Sequence, residues 1–292
     1  MGQQNPTVMI SLGGNAISPK NESGTIDEQF AHTRESLTAV MGFVKRRYNI
    51  CISHGNGPQV GAELQRNELT QDVIPPLPLG VLVANTQGAI GYMIQQSLQN
   101  ALYTEDANRE VVSIISQVKV DKDDPALKEP RKYIGKSYNK KTAHELAEKH
   151  GWIVNEQESN IWRRVVPSPK PLYIFNGKSI KHLVNYGTIV IAGGGGGIPS
   201  YNDKGGILHG LDGVIDKDYS AALLGRIIRA DELFMITDVD NVYLNYNKEN
   251  QNIVDISNSE EDFSELINKY PDSKYFNESK LWLEYTLSLI HI

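Results

Sequence analysis

Three times in this sequence a short apolar run stops at a cluster of glycines. Thr7–Leu12 runs into Gly13-Gly14-Asn15, Asn49–Ser53 into His54-Gly55-Asn56-Gly57, and Thr188–Ala192 into Gly193–Gly197. The runs have strand length, and helical spacing lies between them, as in Phe30, Leu37, Val40, Met41 and Val44 of a segment from about Asp27 to Arg47. Strands alternating with helices predict an α/β fold with a mainly parallel central sheet. In such a sheet the turns at the carboxyl ends of the strands share one edge, where ligands bind. Glycine lets the backbone approach a ligand and present its N–H groups, and a helix start beside it favours an anion. Any one cluster also reads as a tight turn. Their recurrence after three strands points to a phosphate or carboxylate site.

The same reading continues along the chain. It predicts a helix from Pro58 to about Leu69 and a long one over Val81–Leu102, whose Ala84, Gly88 and Gly91 permit close packing. Val111–Val120, rich in β-branched residues, predicts one continuous strand. Residues 121–166 break the rhythm: polar and Lys-rich, with one short helix near Lys141–His150, they read as an excursion from the sheet. A helix near Ser179–Tyr186, a flexible stretch from Gly197 to about Gly213, a helix near Ser220–Arg229 and a strand Leu233–Thr237 complete the pattern. The expected domain boundary lies near Gly197–Ser200, dividing the chain into lobes 1–198 and 199–292.

Composition narrows the function. Lys and Arg number 29 against 35 Asp and Glu, so the formal net charge of -6 offers no basic field for nucleic acid. An anionic substrate must then be met by a few local cations or backbone dipoles. One cysteine, Cys51, excludes an intrachain disulfide and fits a reducing compartment. Neither a secretory leader nor a membrane-length apolar run is read, so a cytoplasmic, non-membrane protein is expected. Two familiar phosphate motifs fail: Val60 stands where a dinucleotide fingerprint needs glycine, and Pro130 and Leu172 stand where Walker A loops would need theirs.

Two further constellations bear charge or aromatic groups. In Asp216-Lys217-Asp218, at the start of a predicted helix, Lys217 could neutralise a transferring phosphoryl group. Asp218 would fix the lysine, and Asp216 would aid nucleotide or metal binding. An acidic helix start with a solvated lysine is the plainer alternative. Asp238 closes a strand and Tyr243 follows among amides, which suits an adenine and ribose site and equally a simple turn.

Taken together, Ser-Leu-Gly-Gly-Asn-Ala (11–16), Ser-His-Gly-Asn-Gly-Pro-Gln-Val-Gly (53–61), Thr-Gln-Gly-Ala-Ile-Gly-Tyr (86–92), Trp-Arg-Arg-Val-Val-Pro-Ser-Pro-Lys-Pro (162–171), Gly-Gly-Gly-Gly-Ile-Pro (194–199) and Val-Ile-Asp-Lys-Asp (214–218) resemble carbamate kinase, of the amino-acid kinase superfamily. The resemblance implies a three-layer fold, an open, mainly parallel sheet of eight strands between helices. It also implies a protruding lid at about 121–166. The N-terminal lobe would bind carbamate or carbamoyl phosphate and form a homodimer; the C-terminal lobe would bind ATP or ADP with Mg2+. The implied reaction is ATP + carbamate ⇌ ADP + carbamoyl phosphate, running towards ATP in fermentative arginine breakdown.

By the same resemblance, Gly13, Gly14, Asn15, Gly55, Asn56, Gly57, Gly195 and Gly196 would bind substrate and phosphate. Lys132 and Lys217 would offset transition-state charge, and Asp218 would orient the lysines. Asp216, Asp238 and Tyr243 would serve the nucleotide. No protein side chain would ligate the metal directly. Ser11 stands where other superfamily members carry a lysine, and the lid would supply the missing cation.

The C-terminal segment departs from the family pattern. Glu284 falls where the resemblance implies a phosphate-contacting lysine, and the sequence stops at Ile292, about one strand-and-helix unit short. Weak activity and reduced stability are expected from these differences. Another small-acid kinase, or a non-catalytic ligand-binding relative, stays open as an alternative, and Glu284 favours the latter.

Overall fold

The computed structural model describes residues 5–19, 23–236, 242–244 and 252–254, the last two stretches by backbone only. Residues through Ile236 form one compact unit. In chain order it comprises β1 (Thr7–Leu12), α1 (Gly14–Ile17), α2 (Ile26–Lys45), β2 (Asn49–His54), α3 (Gly57–Thr70), α4 (Leu79–Thr104), β3 (Val111–Ser113) and β4 (Gln117–Lys119). There follow β5 (Lys132–Tyr138), α5 (Lys140–His150), β6 (Ile153–Glu158), β7 (Ile161–Val166), β8 (Tyr173–Ile174), α6 (Gly177–Tyr186) and β9 (Ile189–Ile191). The unit closes with β10 (Ile198–Asn202), β11 (Leu208–Gly210), α7 (Lys217–Ile228) and β12 (Glu232–Ile236). Beyond it, β13 (Val242–Leu244) pairs antiparallel with β14 (Asn252–Val254).

Local chemistry sets the helix ends. Thr25 and Glu28 form a reciprocal capping box at the start of α2. Asn139 caps α5, which stops at left-handed Gly151, and α6 stops at left-handed Gly187. Asp216 caps α7 by accepting from the N–H of Asp218.

The principal sheet runs β12-β1-β2-β9-β3, and every pairing in it is parallel. Both faces are covered, which explains why all six residues of β1 and of β2 are buried. Alternate residues take opposite faces. Val8, Ile10, Leu12, Ile50 and Ile52 join Val40 and Val44 of α2 and Ile90, Ile94 and Leu98 of α4 in one core. Met9, Cys51 and Val190 join Ile180 and Val184 of α6 and Ala221 and Leu224 of α7 in the other. The three-layer α/β expectation holds, with five of the eight implied strands in this sheet among the described residues.

Three expectations need correction. Residues 111–120 are two strands in two sheets, because the backbone leaves β9 after Ile114, whose N–H still reaches the carbonyl of Ile191 at 2.8 Å. The stretch after Gly197 is an ordered hairpin, β10 with β11; the Asp203 carboxylate closes its turn by accepting from the N–H groups of Gly205 and Ile207. The excursion at 121–166 holds, besides its helix, an antiparallel sheet ordered β5-β7-β6. Of the small residues in α4, Gly91 packs closest, since a Cβ there would lie 2.1 Å from Ser113 Oγ, whereas Gly88 faces open space. Among the described residues no helix is long and apolar enough to cross a membrane.

Candidate active site

The three glycine turns hang from β1, β2 and β9, which are neighbours in the principal sheet. Adjacent strands sit about 4.8 Å apart, so the strand ends that carry the outer two turns are separated by roughly 10 Å. Gly13 N–H donates to Ile236 O at 2.7 Å and Gly55 N–H to Leu12 O at 2.8 Å, which ties the turns to the sheet edge.

The turns then interlock. A Cβ on Gly55 would lie 2.7 Å from the backbone N of Gly14 and 3.3 Å from Lys217 Cδ. On Gly14 it would lie 3.3 Å from Pro58 Cδ and 3.5 Å from Gly57 N. Gly195, at φ +61, leaves no room either, with the Asn56 amide nitrogen 2.3 Å from where a Cβ would stand. The third turn also meets the first turn of α7, for Ser220 Oγ donates to Gly196 O at 2.6 Å. Only Gly57 of these faces open space. Gly57 and Lys217 begin α3 and α7, so first-turn N–H groups without intrahelical acceptors lie at the same place.

Charge is arranged around this cradle in two pairs. Lys217 Nζ donates to Asp218 Oδ1 at 2.5 Å, and Ser11 Oγ reaches the same carboxylate at 3.3 Å. Lys132, the first residue of β5, donates to Asp216 Oδ2 at 2.6 Å. This second pair is a contact the sequence reading did not foresee, since it assigned the orientation of both lysines to Asp218. Burial alone would raise the Asp216 carboxyl, but the charge and hydrogen bond of Lys132, the Asp218 N–H and Lys217 outweigh it and hold it below the ordinary carboxylate value. The excursion is seated on α3 by Gly61, where a Cβ would lie 3.4 Å from Gly135 Cα, and by Tyr138, whose hydroxyl donates to Glu68 Oε2 at 3.1 Å.

His54 is a polar group to which the sequence reading gave no role. It is 1% exposed, and its Nδ1 lies 3.0 Å from Gly55 O. A carbonyl only accepts, so Nδ1 carries the proton and Nε2 is left bare, facing Gly194. Burial pushes this imidazole down to about 4, only partly opposed by the Gly55 hydrogen bond. It is neutral at physiological pH, a spacer between turns rather than a cation.

Thr86, Gln87 and Ser116 are equally buried and reach the turns by hydrogen bonds. The only earlier signal for the first two was their place in the 86–92 string. Asn15 lies in α1, its side chain outside the described residues, as does all of Asp238. Tyr243 sits in β13, opposite Ile253, known by backbone only, and Glu284 lies outside the described residues. Among the described residues no cluster of three or more His, Cys, Asp or Glu could hold a metal ion.

Comparison with known proteins gives the same picture. The Amino acid kinase family profile matches residues 6–275. The carbamate kinase of Pyrococcus horikoshii is 44% identical over 246 residues, 84% of this chain and 78% of that protein. Carbamate kinase 1 of Staphylococcus epidermidis is 37% identical over 276 residues, 94% and 86% of the two chains. A solved carbamate kinase from Giardia lamblia, bound to AMP-PNP, superimposes with a TM-score of 0.83 at 32% identity, over 98% of this chain and 90% of that one.

Proposed function

The chain belongs to the amino acid kinase family, among the carbamate kinases, and we infer that it catalyses ATP + carbamate ⇌ ADP + carbamoyl phosphate by direct in-line transfer. A carbamate oxygen attacks the γ-phosphorus; the new O–P bond forms as the bond to the β-bridging oxygen breaks and ADP departs. Two anions must meet, so alignment and charge neutralisation do the catalytic work. The observation that carries this reading is that the three glycine turns meet one another and the start of α7, which presents Lys217, with Lys132 brought to the same helix start.

Each residue takes a part that fits its surroundings. The turns at Gly13-Gly14-Asn15 and Gly55-Asn56-Gly57 hold the small acid and the moving phosphoryl group through N–H donors. The open face of Gly57 is the space for it. Gly195 and Gly196 wall the opposite side. Lys217, fixed by Asp218, and Lys132, fixed by Asp216, offset the charge that spreads over the equatorial oxygens. Asp238 and Tyr243 are assigned to the nucleotide. Mg2+ bound with ATP or ADP would supply charge neutralisation on the phosphate oxygens. Both carboxylates at the α7 start are engaged by ammonium groups, which fits an ion held by the nucleotide and water rather than by a protein cage.

Beyond the chemistry, we place an acid-binding lobe over 1–198, carrying the lid and a homodimer contact, and a nucleotide lobe after it. A cytoplasmic setting and a physiological direction towards ATP, as in arginine fermentation, rest on the family resemblance alone.

The test is luminescent detection of ATP formed from ADP, Mg2+ and carbamoyl phosphate. An enzyme-dependent signal that Lys217→Ala reduces by about 10^2-fold or more supports the reading. Nucleotide binding with no transfer selects the non-catalytic alternative that Glu284 favours, and turnover of a different small acid in preference to carbamate selects another kinase specificity.

A further inference from the structure

Two adjacent residues of α4, Thr86 and Gln87, each hold a different glycine turn. Both are 2% exposed. Thr86 Oγ1 accepts from Asn56 Nδ2 at 2.9 Å and donates to Val83 O at 2.7 Å, so the hydroxyl bridges the turn to the backbone of α4. Gln87 spends its whole amide on one residue. Its Oε1 accepts from Ser116 N at 2.7 Å and its Nε2 reaches Ser116 O at 3.3 Å. Ser116, fully buried, passes the restraint on: its Oγ accepts from the N–H of Gly193 at 2.9 Å and donates to Ile114 O at 3.1 Å.

The arrangement solves two problems at once. Ser116 lies in the gap between β3 and β4, where its N–H has no ladder partner, and a buried N–H left unpaired is destabilising. The Gln87 amide fills that place as a strand would. The anchoring helix is itself packed into the core, where Ile90, Met93, Ile94 and Leu98 are buried one to three turns onward. Glycine turns have many accessible conformations, so a cradle made of them needs external restraint to hold one spacing.

We propose that Thr86 and Gln87 are positioning residues, a two-pronged clamp that fixes the Gly55–Gly57 turn against the Gly193–Gly197 turn for phosphoryl transfer. The inference rests on the function proposed above. Neither residue touches the reacting atoms; each acts through Asn56 or Ser116.

Amide hydrogen exchange and steady-state kinetics on the full chain test it together. Thr86→Val keeps the shape and removes the hydroxyl; exchange should quicken about tenfold at 55–57 and stay unchanged in α2 and α6. The same variant should lower kcat about tenfold with the KM for ADP little moved, and Thr86→Ser should restore both. Gln87→Met should quicken exchange at 193–197 instead. Exchange that quickens throughout the chain, or a variant unfolded by circular dichroism at the assay temperature, makes these residues merely structural and overturns the clamp. So do Val and Ser variants that behave alike. The two ideas fail separately: a chain with no phosphotransfer but turn-specific exchange sinks the reaction and keeps the clamp, while an active chain with unmoved exchange and kcat sinks the clamp alone.

Discussion

Lys132 Nζ and Asp216 Oδ2 stand 2.6 Å apart, although 84 residues separate them in sequence. The lysine opens a strand of the excursion and the carboxylate caps α7, so a protruding element is tethered to the helix start that also presents Lys217. One Asp216 oxygen caps the helix and the other takes the lysine. Cap and charge can therefore be separated by substitution.

Asp216→Asn keeps a good N-cap and removes the charge, whereas Asp216→Ala removes both. Urea unfolding should leave the Asn variant near the parent and lower the Ala variant by about 1 kcal/mol. Both should lose ATP formation about tenfold, since Lys132 loses its carboxylate partner in each. Equal stability of the two variants would contradict the capping role, and unaltered rates the positioning role.

Gly55 and Gly57 are two residues apart and should respond oppositely to alanine. At Gly55 the new methyl meets the backbone of Gly14, which has nowhere to go, and overpacking of this kind costs about 1–3 kcal/mol. At Gly57 it meets nothing. Gly57→Ala should fold with parental thermal stability but bind carbamoyl phosphate more weakly, as titration calorimetry would read. Gly55→Ala as stable as the parent would mean the turns do not interlock.

The buried His54 gives a pH signature. Its imidazole is held down to about 4, against an ordinary 6.5, so the unfolded chain binds the extra proton first. Above pH 6.5 the group is neutral in both states and neither gains nor loses stability. As pH falls from 6.5 to 4, stability drains away, by about 2 kcal/mol at pH 5. Asp216 does not confuse the window, because its depressed carboxyl keeps its contribution until pH falls below the ordinary value of 3.8. Denaturant melts at pH 7 and pH 5 should show the loss, and His54→Gln should flatten it.

Glu284 stands where the resemblance implies a phosphate-contacting lysine. Restoring it, as Glu284→Lys, should raise the rate of ATP formation by roughly 10-fold to 100-fold, the equivalent of one charge-assisted hydrogen bond of about 1.5–3 kcal/mol. A rate that does not rise would show that this position carries no phosphate contact.

Sequence carried the architecture because its signals are periodic and local. The run Thr7–Leu12 is β1 residue for residue, and the long helix over Val81–Leu102 extends only two residues further at each end. Glycine clusters after apolar runs marked the sheet edge for the same reason. What escaped was non-local. Nothing in the β-branched run 111–120 announces that Gln87 will take the N–H of Ser116 and end a strand there. Lys132 finding Asp216 is a pairing of distant charges that spacing cannot encode, and the hairpin at 198–210 hid in a polar stretch whose turn is closed by Asp203. His54 was visible only as a letter in a motif, since its neutrality comes from the burial that folding imposes.

The turns at the ends of β1, β2 and β9 offer main-chain donors, and their separation is set by the hydrogen-bonded repeat of the sheet, about 4.8 Å per strand. That repeat is a gauge that sets where each turn leaves the sheet whatever the side chains, and the α4 clamp acts only on the turns beyond it. Evolutionary drift can rewrite most of the lining while the spacing of the strand ends that carry the turns stays constant. A new preference among acids would have to be written in the handful of side chains that lean over the gauge, which makes the reaction type far harder to lose than the identity of its acceptor.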